Sequence, residues 1–164
     1  MATVTLQGNP FNTIGELPHP GTKAPAFTLT TSDLSDLTLE SLAGKRIVLN
    51  IFPSIDTPTC ATSVRTFNQK AASLDNVEVV CVSADLPFAL NRFCGAEGIE
   101  NVQVGSTFRS SFGTEYGVDF VQGPLTKLLS RSVVVIDTDG TVLHSEQVAE
   151  TADEPNYEAA LNVL

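Results

Sequence analysis

RIVLNIFPSIDTPTCATSVRTFNQKAASL, residues 46–74, changes its structural period within one short turn. Arg46 to Phe52 is almost continuously apolar, the pattern of a strand covered on both faces. From Cys60 onward Ala61, Val64, Phe67, Ala71 and Leu74 recur at helical spacing. Between them, Asp56 to Thr59 supply cap-type residues and a proline, so the helix is expected to begin very close to Cys60. Strand, tight turn and helix form one α/β building block, and two more apolar runs, VEVVCVS (77–83) and SVVVID (132–137), read as its companion central strands.

Working outward, Asp85 is positioned to cap a helix containing Leu86, Pro87, Leu90 and Phe93, with Gly95 ending it and Cys94 at its C-terminal end. Asp139-Gly140, between SVVVID and TVLHSEQ (141–147), is a hairpin signal and makes at least one strand pair antiparallel. Pro155, Tyr157, Leu161 and Leu164 mark a closing helix. Upstream, residues 3–8 and 11–14 alternate as short strands around Asn9-Pro10, residues 26–30 read as a short strand, and 37–42 as a turn ending at Gly44. Strand–helix alternation followed by a hairpin and a helix gives a mixed α/β sandwich of thioredoxin type, a mixed central sheet flanked by helices with an N-terminal β-hairpin.

The 164 residues suit one domain, 1–164, with residues 1–15 as an appended hairpin. Hydrophobic residues make up 42% and charged ones 17%, so the chain has the material for a core. Nineteen acidic against nine basic side chains leave a net charge of −10. Such a surface is repelled by phosphate backbones and anionic lipid, which argues against nucleic acid and membrane as partners. The longest apolar stretches fall far short of a bilayer span. MATVTLQGNP has neither the basic start nor the apolar core of a secretory signal, and three cysteines without a CxxC are not a secreted disulfide framework, so a reducing cytoplasm is expected.

Cys60 sits beyond the C-terminal end of a buried strand in a turn that opens a helix, where free N–H groups and the helix dipole favour an anion. The thiolate is the nucleophilic form of cysteine. The same position also suits an inert core cysteine in the first turn of a helix. Pro53 and Pro58 stiffen the turn, and Thr57 and Thr59 offer hydroxyls. Arg131 immediately precedes SVVVID. If that strand runs antiparallel beside RIVLNIF, Arg131 faces the Cys60 turn; otherwise it is a solvated charge at a strand end. Cys81, amid apolar neighbours, reads as a small core residue, whereas Cys94 suits either an exposed helix end or a core-facing position beside Phe93. His19 and His144 have no ligand-type neighbours, and neither Gly44-Lys45 nor Asp137-x-Asp139-Gly140 completes a phosphate or calcium loop, so no cofactor and no metal is expected.

Pro53-x-x-x-Thr57-x-x-Cys60 together with a distant Arg131 resembles the active-site signature of peroxiredoxins. NIFPSIDTPTCATSVRTFNQ, SADLPFALNRFCGAEGIENV and SRSVVVID narrow the likeness to the bacterial thiol peroxidase subfamily, and it runs over essentially the whole chain. Thr59 stands where many members carry a small apolar residue. The resemblance implies a cofactor-free peroxidase of the atypical two-cysteine class that reduces hydrogen peroxide and organic hydroperoxides in antioxidant defence. In such proteins the cysteine matching Cys60 is peroxidatic, and the one matching Cys94 resolves it as an intramolecular disulfide. The residues matching Thr57, Pro53 and Arg131 shape the peroxide pocket, and the one matching Cys81 is dispensable. The resemblance further implies a homodimer reduced by thioredoxin. Among other classes, a disulfide oxidoreductase would need a close cysteine pair, and a cysteine hydrolase a histidine base for which neither His19 nor His144 gives sequence support. An acidic binding module would carry an unreactive Cys60.

Overall fold

The computed structural model describes residues 1–164. An N-terminal ribbon pairs β1 (Thr3–Leu6) with β2 (Asn9–Asn12). The main sheet is built from β3 (Thr28–Thr30), β4 (Asp36–Thr38), β5 (Arg46–Ile51), β6 (Val77–Ser83), β7 (Gln103–Ser106), β8 (Ser132–Ile136) and β9 (Val142–Gln147). Four helices join them: α1 (Pro58–Ala71), α2 (Pro87–Glu97), α3 (Phe112–Glu115) and α4 (Tyr157–Leu161). The strand order is β4-β3-β7-β6-β5-β8-β9, parallel within β5, β6 and β7 and antiparallel elsewhere. This is the mixed, helix-flanked sheet expected from the sequence, and the three long apolar runs are its adjacent central strands β6, β5 and β8.

Their side chains alternate between two covered faces, which is why they read as continuous apolar runs. Ile47, Leu49, Ile51, Val80, Val82, Val134 and Ile136 pack toward Phe112 of α3 and Tyr116 at its C-cap, with Phe27 and Leu29. Val48, Val79, Val133 and Val135 face Phe67 of α1 and Ala160 of α4. Each fully buried Val or Phe side chain in these layers contributes roughly 1.5–3 kcal/mol.

Several boundaries differ from the sequence reading. The hairpin turns at Gln7 and Gly8, with φ of 50° and 84°, and Asn9-Pro10 belongs to β2. A two-residue loop with both residues at positive φ matches the twist of the flanking strands, and a two-stranded ribbon tolerates proline because both its strands are edges. The 37–42 segment is strand β4 followed by a 3₁₀ turn over Glu40–Leu42, and β7 and α3 are additional elements. Helix α2 continues past Gly95 to Glu97 and stops at Gly98, whose φ of 65° is the left-handed conformation that glycine adopts without strain. Asp85 does not cap α2, because its carboxylate is engaged by the neighbouring loop; Leu86 is the N-cap. No helix is long and apolar enough to cross a membrane.

Candidate active site

The end of β5 and the start of β8 lie side by side, with Ile51 opposite Ser132. That register brings Arg131 to the turn leading into α1. Pro58 is the first helical residue and Thr57 the N-cap, so Cys60 occupies the first turn of a 14-residue helix. Cys60 is fully buried, and Arg131 is 2% exposed. Arg131 Nη2 donates to Cys60 Sγ at 3.4 Å. Its Nη2 and Nε also donate to the Thr151 carbonyl, at 3.1 and 3.3 Å, which fixes the guanidinium plane. Nη1 is buried with no hydrogen-bond partner. The orientation expected for Arg131 is therefore present, and the cost of burying its charge is met in part by the sulfur and the carbonyl.

The turn itself is anchored from below and from the side. Ser63 Oγ donates to the Cys60 carbonyl at 2.7 Å and accepts from Asn50 Nδ2 at 3.2 Å, tying the first turn of α1 to the middle of β5. The Asp85 carboxylate accepts from the Ser54 hydroxyl (2.8 Å), the Ile55 N–H (2.7 Å) and the Ser83 hydroxyl (2.6 Å), clamping the loop after β5 to the loop after β6. Thr57 Oγ1 donates to the Ser54 carbonyl at 2.9 Å and so stiffens the turn. Thr59 Oγ1 donates to the Ala152 carbonyl at 3.0 Å, linking α1 to the segment that orients Arg131.

Beside this turn lies a cavity of about 340 Å³, lined by Pro53, Thr57, Thr59, Arg131, Thr151, Leu6, Leu125 and Leu128; the buried Cys60 is not part of the lining and meets it through Arg131. Pro53, Thr57 and Arg131 thus share one cavity. Leu6, Leu125, Leu128 and Thr151 complete the lining, and sequence reasoning misses them because their neighbours come from distant parts of the chain. No histidine is hydrogen-bonded to Cys60.

Cys94 lies in the last turn of α2, half-buried against the apolar cluster that contains Cys60, Cys81, Val64 and Leu90. Both alternatives weighed for it are partly realised: it faces the core beside Phe93 and also lines a surface cleft with Asn91, Gly95 and Gly98. Burial pushes its thiol up. Cys81 is in the middle of β6 and fully buried, as expected, and burial pushes its thiol up to about 12 despite a contact from Asn50 Nδ2 at 3.6 Å. All three cysteines are free. No three His, Cys, Asp or Glu side chains cluster as a metal would require.

Comparison with known proteins bears on the family and the fold. The Redoxin family profile matches residues 19–161. A thiol peroxidase of Mycobacterium tuberculosis (strain ATCC 25618 / H37Rv) is 58% identical over 164 residues, covering 100% of this chain and 99% of that one. Among solved structures, a peroxiredoxin-like protein from Aquifex aeolicus superposes with a TM-score of 0.92 at 39% identity, over 99% of this chain and 96% of that one. A thiol peroxidase from Chromobacterium violaceum, at 24% identity, shares the fold with a TM-score of 0.90 over 98% and 94% of the two chains.

Proposed function

The chain belongs to the Redoxin family and, within it, to the thiol peroxidases; from that premise we propose that it reduces hydroperoxides through Cys60 and recycles through a Cys60–Cys94 disulfide. The observation carrying this reading is the buried Arg131 guanidinium 3.4 Å from Cys60 Sγ at the start of α1. The fixed guanidinium donates to the sulfur, and its unpartnered Nη1 is a further donor for an incoming oxygen. The Cys60 thiolate attacks the terminal oxygen of ROOH, the O–O bond breaks, RO⁻ leaves and takes a proton, and Cys60 becomes a sulfenic acid. The Cys94 thiol then condenses with it, forming the S–S bond and releasing water, and a dithiol partner exchanges the disulfide away. Thioredoxin is the reductant proposed. Pro53 and Thr57 shape the pocket, and the apolar lining of Leu6, Leu125 and Leu128 favours organic hydroperoxides alongside hydrogen peroxide.

Closing the disulfide requires Cα atoms within about 7 Å, and here each cysteine is held in a helical turn. Unwinding of the first turn of α1, the last of α2, or both is part of the proposed cycle and frees the two cysteines for bonding. The exposed ion pairs Arg65–Glu97 and Arg92–Asp56 are the kind of weak tie such opening can break. The same reading takes residues 1–164 as one cytoplasmic domain that forms a homodimer, for which exposed Leu86 and Phe88 at the start of α2 and Phe108 just after β7 offer apolar surface. The deciding experiment is hydroperoxide consumption with added dithiol. Stoichiometric sulfenic acid at Cys60 followed by a Cys60–Cys94 disulfide is expected, and no peroxide consumption rejects the reading.

A further inference from the structure

The N-terminal hairpin meets the segment after β9 in two distinct ways. At its root, β1 is held by backbone: Thr5 N–H donates to the Ala149 carbonyl at 2.8 Å, and Thr151 N–H to the Thr5 carbonyl at 2.8 Å. At its tip, one side chain does the work. Glu150 Oε1 accepts from the Thr5 hydroxyl at 2.9 Å and the Gly8 N–H at 2.9 Å, while Oε2 accepts from the Ala152 N–H at 2.8 Å. The residues between those bonds, Leu6 and Gln7, line the same cavity as Thr57, Thr59 and Arg131, and Arg131 is the lining residue that touches the buried Cys60 sulfur. Gln7 and Gly8, both at positive φ, form the tight two-residue turn that closes the ribbon, and Glu150 is the side chain that ties this turn to the segment after β9.

We infer that Glu150 is a specificity-determining positioning residue: by pinning the hairpin tip it holds Leu6 and Gln7 as one wall of the cavity and so sets how fast bulky apolar hydroperoxides reach Cys60. The inference rests on the peroxidase reading above and names what that reading leaves open, the element that selects among peroxides. Hydrogen peroxide has no apolar body to contact Leu6, whereas an organic hydroperoxide does, so loosening the wall changes the ratio of the two rates. The orientation of Arg131 is held separately, by the Thr151 carbonyl and the backbone ladder at Thr5. The Ala152 and Gly8 amides, with smaller help from Gln7 and the Thr5 hydroxyl, hold the Glu150 carboxyl down at about 2, so the anchor is charged throughout the neutral range.

The test is the rate of Cys60 oxidation by cumene hydroperoxide and by hydrogen peroxide in the wild type, E150A, E150Q, L6A and E150A/L6A. In E150A the ratio of cumene hydroperoxide to hydrogen peroxide rate constants is expected to fall about tenfold, the scale of losing a few hydrogen bonds and an apolar contact. E150Q retains acceptor oxygen and should lose about threefold or less. Because both residues act through one wall, E150A/L6A should lose little more than L6A alone. Amide exchange at Gln7 and Gly8 should speed up in E150A while β5 and β8 stay protected. An unchanged ratio in E150A, or fully additive losses in the double variant, overturns the inference while leaving the peroxidase reading intact. A wild type that oxidises Cys60 with neither peroxide overturns the reading and the inference together.

Discussion

Cys60 and Cys81 are both fully buried and belong to the same apolar cluster, yet they occupy opposite chemical situations. Cys60 opens a helix and meets a guanidinium at 3.4 Å. Cys81 sits mid-strand, its sulfur meeting only a neutral amide at 3.6 Å, and burial pushes its thiol up to about 12. Burial alone therefore does not distinguish the two thiols; what differs is the group delivered to each sulfur, a guanidinium at Cys60 and a neutral amide at Cys81. Cys94 falls between them, half-buried, with its thiol raised by burial.

The sharpest way to break this contrast is to exchange each sulfur for oxygen. Cys60→Ser is expected to reduce peroxide turnover to background, because a hydroxyl is a far weaker nucleophile, and measurable turnover in that variant would end the comparison. Cys94→Ser should still consume one equivalent of hydroperoxide and then stop at the sulfenic acid, losing thioredoxin-dependent turnover; sustained turnover would show that resolution occurs elsewhere. Arg131→Ala should slow Cys60 oxidation about 10²-fold, the cost of removing one well-placed charged donor. An unchanged stopped-flow rate would mean the guanidinium adds nothing to Cys60 beyond burial.

At the mild end, Cys81→Ser should keep turnover and lose about 1–3 kcal/mol of stability, since it places a hydroxyl in an apolar layer. Loss of turnover instead would reverse the assignments of Cys81 and Cys94. The raised Cys81 thiol also fixes a pH dependence. In the unfolded chain it ionises near pH about 8.5, while in the fold it stays protonated up to about 12. The stability of the neutral form is thus complete below the unfolded value and declines as pH rises through this window. Denaturant titrations from pH 8 upward should show that decline, with a shallower slope in Cys81→Ser.

Apolar runs such as RIVLNIF and SVVVID were legible because each residue is covered on one face or the other, so the pattern survives without knowledge of the partner. Strand β7 was not, because its four residues, including Gly105, are held as a strand by β6 and β3 rather than by their own pattern. Asp85 illustrates the same limit at one residue. It has the type and position of a helix cap, but donors from the loop after β5 claim its carboxylate. Cys60 stood out as a candidate because strand, turn and helix are consecutive in the chain.

The features legible in the chain alone are local, namely the two-faced strands, the proline-opened helix and the cysteine at its start, since propensity and periodicity act over a few residues. Tertiary structure alone decided that Arg131, 71 residues away, touches Cys60. It likewise decided that Glu150, 145 residues from Thr5, fixes the hairpin tip beside the cavity. Those contacts depend on the antiparallel register of β8 on β5 and on where the chain ends its last strand. That register follows from the joint burial of both faces of the sheet, which no single segment encodes.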